Sequence, residues 1–68
     1  MAEIWVNGEK RALAEGATVG TLLEALGLAK RGGLAVEVNA AVVPRSEHGV
    51  TLLREGDRVE VVTMIAGG

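Results

Sequence analysis

Few residues in this 68-residue chain can do chemistry. With no cysteine, it has no thiol nucleophile, no thiolate to hold a metal and no side chain able to carry sulfur as a persulfide. His48 is the only histidine, and nothing near it has the spacing of a metal site or a catalytic dyad, so it reads as a solvated loop residue. Gly32-Gly33 lacks the strand-then-helix context of a phosphate loop and reads as a flexible connection. No acid, base and nucleophile come together in the pattern, which disfavours an independent enzyme. A further candidate is the end of the chain, Gly67-Gly68 and the α-carboxylate carried there. A carboxylate on glycine has no side chain beside it, so a partner can thread it through a narrow channel. By themselves two final glycines read as a frayed end. Met64-Ile65-Ala66, however, run from a strand-like segment into the glycines with no polar linker, so the end is presented by a sheet.

The rest of the chain must therefore be a platform. Its length allows one domain, near the lower limit at which a hydrophobic core alone holds a fold. The composition, 49% hydrophobic and 24% charged, is that of a globular chain. Trp5 is the only aromatic residue, so the core is aliphatic, and without disulfides the chain must fold by packing. A net charge of -2 with both signs dispersed leaves no basic stripe for nucleic acid or anionic lipid. Met1-Ala2-Glu3-Ile4 opens no signal sequence and no apolar run is long enough to span a bilayer, so a cytoplasmic protein, not bound to membranes, is expected.

Periodicity places the elements. Glu3 to Val6 and Glu9 to Leu13 flank Asn7-Gly8, whose tolerance of positive φ predicts a hairpin with a type I′ turn. Alternation puts Ile4 and Val6 on one face and Trp5 on the other. Thr18 is a helix N-cap, and Val19, Leu22, Leu23 and Leu26 form the single apolar stripe of a short helix that Gly27 ends. Residues 29–33 form a mobile, solvated connection. Leu34 to Asn39 alternates as a third strand, Asn39-Ala40-Ala41 turns the chain into Val42-Val43, and Pro44 ends that run or confines it to an edge. Arg45 to Gly49 reads as irregular loop, Val50 to Leu53 as a short apolar piece of undetermined type, and Arg54-Glu55-Gly56-Asp57 as a turn before the last strand, Arg58 to Thr63. Strands before and after one helix predict an α+β fold with the helix across one face of the sheet.

Four segments give the chain a resemblance to a known family: Ile4-Trp5-Val6-Asn7-Gly8; Thr18-Val19 leading into Leu22-Leu23; Val38-Asn39-Ala40-Ala41-Val42-Val43-Pro44-Arg45; and Glu55-Gly56-Asp57 through Ile65-Ala66-Gly67-Gly68. Ordered along nearly the whole chain, they resemble the ThiS family, ubiquitin-like β-grasp sulfur carriers of thiazole formation in thiamin biosynthesis. The family often has a bulky residue after the Pro-Arg pair, where this chain has Ser46-Glu47-His48. The resemblance implies a mixed sheet of four to five strands in a β-grasp domain over residues 1–64, with a flexible tail over 65–68. It also implies a cycle. A ThiF-like adenylyltransferase uses ATP to adenylate the Gly68 carboxylate, a sulfur-donor enzyme supplies the sulfur that makes it a thiocarboxylate, and a ThiG-like thiazole synthase takes that sulfur. The carrier itself would bind no cofactor and no metal, and would be a protein cosubstrate rather than an enzyme.

In that arrangement Ile65, Ala66 and Gly67 thread the tail, and Trp5, Val62 and Met64 form an apolar docking patch on the sheet face away from the helix. Arg45 would pair with an acidic partner surface, although a simply exposed arginine is as consistent with its position. Asp57 is expected to serve its turn. A carrier for molybdopterin synthesis or tRNA thiolation would share the fold and the Gly-Gly end, and is disfavoured by the short chain and the Ile65-Ala66 approach. A ubiquitin-like protein modifier or a plain interaction module with an inert tail are the alternatives outside sulfur transfer.

Overall fold

The computed structural model describes residues 1–63; Met64, Ile65, Ala66, Gly67 and Gly68 lie outside the described residues. Five strands and one α-helix follow in the order β1 (Ala2–Val6), β2 (Glu9–Leu13), α1 (Val19–Ala25), β3 (Leu34–Val38), β4 (Ala41–Val43), a 3-10 turn (Arg45–Glu47) and β5 (Arg58–Thr63). They build one mixed sheet in the spatial order β2-β1-β5-β3-β4. β1 pairs with β5 in parallel and the other neighbours are antiparallel. The α+β class, the strand count and the single packed helix match the sequence expectation.

The hairpin forms as its turn chemistry requires, with φ of 49° at Asn7 and 85° at Gly8. Its register, Val6 opposite Glu9 down to Ala2 opposite Leu13, buries Ala2, Ile4, Val6 and Leu13 and leaves Trp5 outside. The second hairpin turns tighter than expected. Val38 pairs directly with Ala41, so Ala41 belongs to β4 and the turn is made by Asn39 and Ala40, at φ of 51° and 70°. An alanine stands there in a conformation that glycine adopts more cheaply, a signal that composition does not carry.

The helix is short and is held at both ends. The Thr18 hydroxyl accepts the Thr21 amide at 3.1 Å. At the other end Gly27, at φ 75°, donates to the Glu24 carbonyl at 3.0 Å and Leu28 donates to Leu23 at 2.8 Å, the paired bonds of a Schellman motif. Helix N-termini leave amides without intrahelical partners. Here the Val19 amide donates to the Thr51 carbonyl and the Gly20 amide to the His48 carbonyl, at 3.0 and 2.8 Å. A Cβ on Gly20 would stand 3.4 Å from that His48 oxygen, in close van der Waals contact with it. The apolar piece of undetermined type is therefore a strap across the helix start: Leu52 bridges to Thr18, and Leu53 donates to the Ala17 carbonyl at 2.9 Å and is buried.

Val19, Leu22 and Leu23 of the helix meet Ile4, Val6, Val36, Val59 and Val61 of the sheet in one aliphatic core. Leu22 is fully buried between helix and sheet. Leu22→Ala should cost about 2–5 kcal/mol, read as a lower midpoint in urea unfolding with an unchanged slope.

Candidate functional site

The last described element before Gly67 and Gly68 is β5. Its start is set by the turn before it, which is bonded to β1: Gly56 donates to the Glu3 carbonyl at 2.8 Å, and the Glu3 amide donates to Glu55 Oε1 at 2.9 Å. Asp57 serves that turn, as its position suggests. Its Oδ2 accepts the Arg54 amide at 2.8 Å and its Oδ1 accepts Asn39 Nδ2 at 3.0 Å. Asn39 Oδ1 in turn accepts the Arg58 amide at 3.0 Å. Trp5 donates to the Asp57 carbonyl and Asn7 to the Val59 carbonyl, each at 2.9 Å, which locks β5 parallel to β1.

Two asparagines thus carry more than sequence reasoning assigned to them. Asn7 and Asn39 read as turn residues, and both turn the chain at positive φ. Their amide side chains also reach across to β5: Asn39 to the strand's first residue, and Asn7 to Val61, whose amide donates to Asn7 Oδ1 at 2.9 Å and whose carbonyl accepts from Asn7 Nδ2 at 3.2 Å. The only available signal was the residue type, since asparagine combines tolerance of positive φ with both a donor and an acceptor.

The outer face of the sheet holds the proposed docking residues. Trp5 and Val62 both face outward, 40% and 49% exposed. They are not adjacent. Trp5 stands opposite Arg58 on β5 and Lys10 on β2, and Lys10 Nζ lies 5.6 Å from the centre of its ring. Val62 stands opposite Ala35 of β3, two pleats further along β5 than Arg58, roughly 13 Å away at the strand rise. Glu60 projects between them, directly opposite Glu37. Between these two members of the expected patch stands a charged rung, because register, not composition, decides which side chains meet. Beside Trp5 a shallow depression is lined by Gly8, Arg58, Val59 and Glu60. Met64, the third docking candidate, and the tail residues Ile65, Ala66, Gly67 and Gly68 lie outside the described residues.

Arg45 and His48 sit elsewhere. Both line a depression on the helix side with Leu23 and Leu34, away from Trp5. The Arg45 guanidinium donates to the Arg31 carbonyl at 2.9 Å, which ties the connection over residues 29–33 to the 3-10 turn. His48 is not the solvated loop residue expected from sequence. It is half-buried, and its Nε2 lies 3.0 Å from the Val43 carbonyl, because the 3-10 turn folds back and brings the ring onto β4. Among the described residues no group of three or more His, Cys, Asp or Glu side chains gathers as a metal site, and no helix is long and apolar enough to cross a membrane.

The family model described as the ThiS family matches residues 4–68. The chain belongs to the ThiS family. It is 42% identical over 65 residues to the sulfur carrier protein ThiS of Thermus thermophilus, an alignment covering 96% of this chain and 98% of that protein. Among solved structures it is similar to the thiamine biosynthesis protein ThiS of Geobacter metallireducens, with a TM-score of 0.81, 34% identity and coverage of 97% of this chain and 99% of that one. The sheet and helix are thus the β-grasp arrangement of ThiS proteins. A thiazole synthase of Paramagnetospirillum magneticum is 40% identical over 63 residues, which cover 93% of this chain and 19% of that protein. In that relative a ThiS-like segment is part of a much longer polypeptide.

The Asp57 carboxylate holds the start of β5, so its loss should weaken the fold rather than any chemistry. Asp57→Ala is expected to lower stability by about 1 kcal/mol, the scale of hydrogen bonds lost from an accessible turn, as measured by thermal and urea unfolding.

Proposed function

We propose that this protein is a sulfur carrier for thiazole formation in thiamin biosynthesis, and that the α-carboxylate of Gly68 is its working group. The observation that carries the reading is the extent of the family match, which runs from the first strand through Gly67 and Gly68. A carrier needs a rigid platform and a narrow end that an enzyme can reach. β5, pinned at both ends by hydrogen bonds from other strands and turns, supplies the platform. Two glycines without side chains supply the narrow end.

The chemistry asks little of the carrier's own side chains. An adenylyltransferase joins the Gly68 carboxylate to the AMP of ATP and releases pyrophosphate. Sulfide-level sulfur (HS⁻) delivered by a donor enzyme attacks the activated carbonyl, the C–S bond forms as the C–O bond to AMP breaks, and the products are a thiocarboxylate and AMP. Thiazole synthase then accepts that sulfur. The thiazole synthase of Paramagnetospirillum magneticum, with its ThiS-like segment, supports the same recipient here, since joining two partners in one chain raises their effective concentration for each other. ATP belongs to the adenylyltransferase, and the carrier binds no cofactor of its own.

Docking falls to the outer sheet face. Trp5, partly exposed and flanked by Lys10 and Arg58, offers an aromatic anchor of the kind enriched at interface hot spots. Val62, on the same face, and Met64 are the further docking residues of this reading. Arg45, bonded to the Arg31 carbonyl on the other side of the sheet, takes a secondary role at the rim. Ile65, Ala66 and Gly67 thread the carboxylate into the enzyme.

Deleting Gly68 should abolish thiocarboxylate formation while leaving the unfolding midpoint unchanged. Intact-mass analysis after incubation with adenylyltransferase, ATP and a sulfur donor reads this directly, because the product carries a sulfur-for-oxygen mass difference. Persistence of that mass shift in the deletion would remove the assignment. Trp5→Ala and Met64→Ala should each slow adenylation at limiting carrier concentration by about tenfold, the usual scale for one interface anchor, without loss of fold; unchanged rates would exclude this face.

A further inference from the structure

β1 and β5 stay in parallel register only briefly, Trp5 opposite Arg58 and Val6 opposite Val59. At Asn7 the chain turns away into Gly8, and backbone pairing between the two strands would end there. It is prolonged by a side chain. The Asn7 amide group takes the place of a further β1 residue, accepting the Val61 N–H at 2.9 Å and donating to the Val61 carbonyl at 3.2 Å. Val61 is 8% exposed, so its backbone groups would be costly to leave unpaired on that side. Thr63, which follows on the same edge of β5, has no hydrogen-bond partner from the β1 hairpin among the described residues. Asn7 is therefore the last rung on this edge before the residues leading to Gly68.

We propose that Asn7 is a positioning residue for the reaction at Gly68: by clamping Val61 it holds the end of β5 in one place, so that a partner enzyme meets a pre-organised strand rather than one it must order itself. The inference rests on the carrier reading above. Its physical content is conformational entropy. Residues already fixed in the free carrier need not be fixed on docking, and each one released weakens association. Asn7 acts through the Val61 backbone, so its effect should appear in how much carrier the enzyme needs, not in the rate once the carrier is bound.

The other asparagine at positive φ provides the control. Asn39, at φ 51°, bonds to Arg58 and Asp57 at the opposite end of the same strand. Glycine at either position preserves the turn conformation and removes the side-chain bonds, so both variants lose comparable local structure.

The test is steady-state adenylation of the full chain by the adenylyltransferase, followed as pyrophosphate release while carrier concentration is varied, with amide hydrogen exchange at Val61 and unfolding midpoints measured in parallel. Asn7→Gly should speed exchange at Val61 and raise KM for the carrier about fivefold or more with kcat unchanged, the scale of reordering one or two residues. Asn7→Asp, which retains the acceptor for the Val61 amide and loses the donor, should fall between. Asn39→Gly should lose a similar amount of stability and keep KM within about twofold of wild type. A wild-type KM in Asn7→Gly despite faster exchange at Val61 overturns the proposal, as does an equal rise in KM for Asn39→Gly or a loss confined to kcat. If the wild-type chain yields no adenylate, the carrier reading itself fails and takes the proposal with it, an outcome distinct from the others.

Discussion

β1 and β5 lie side by side and parallel at the centre of the sheet, although nearly the whole chain separates them in sequence. Two parallel strands cannot be joined by a tight turn, so the intervening residues must cross from one end of the sheet to the other. Here α1, β3, β4 and the strap make that crossing. The pairing itself is short, with two registered positions, and it survives because it is reinforced at both ends. The 54–57 turn bonds to Glu3 ahead of it, and the Asn7 side chain extends it beyond the last backbone rung. The strand that precedes Gly67 and Gly68 is consequently tied directly to the first strand of the chain.

The core that supports this pairing is small and wholly aliphatic. Ile4, Val19, Leu22, Val36 and Val59 are its most deeply buried side chains, contributed by three strands and the helix. Branched residues suit the inner face of the sheet, and leucines on the helix pack against it. A helix of this length does not persist alone in water. Its first amides are taken by carbonyls of the strap and its last turn is closed by Gly27 and Leu28, so its ends are satisfied by tertiary neighbours and capping together.

The two faces of the sheet divide the work. The inner face is spent on stability. The outer face keeps Trp5 and Val62 partly exposed, separated by the Glu37–Glu60 rung, where two carboxylates stand on directly opposed positions. Opposed like charges cost some stability. The ion pairs among the described residues, Glu15 with the N-terminus and Glu3 with Lys10, involve neither of these carboxylates. Among the described residues the outer face therefore sets its apolar points beside charged ones rather than in one continuous run.

The sequence by itself determined the local elements. Asn7-Gly8 specified a hairpin because both residues tolerate the positive φ of a type I′ turn, whose twist matches that of the strands; Thr18 and Gly27 bracketed the helix; alternation in β1, β3 and β5 named the core face. The proposal that Gly67-Gly68 is the working end came from their place directly after a strand-like segment and from the family resemblance. The order of strands was legible only through family resemblance, because periodicity says which face of a strand is buried and nothing about its neighbour. Tertiary structure alone decided the rest. Register set Trp5 and Val62 apart, the fold-back of the 3-10 turn brought His48 onto Val43 and drew Arg45 to the Arg31 carbonyl, and long-range hydrogen bonds turned two turn asparagines into clamps on β5. These are contacts between residues distant in sequence, and they exist only once the core has brought the strands together.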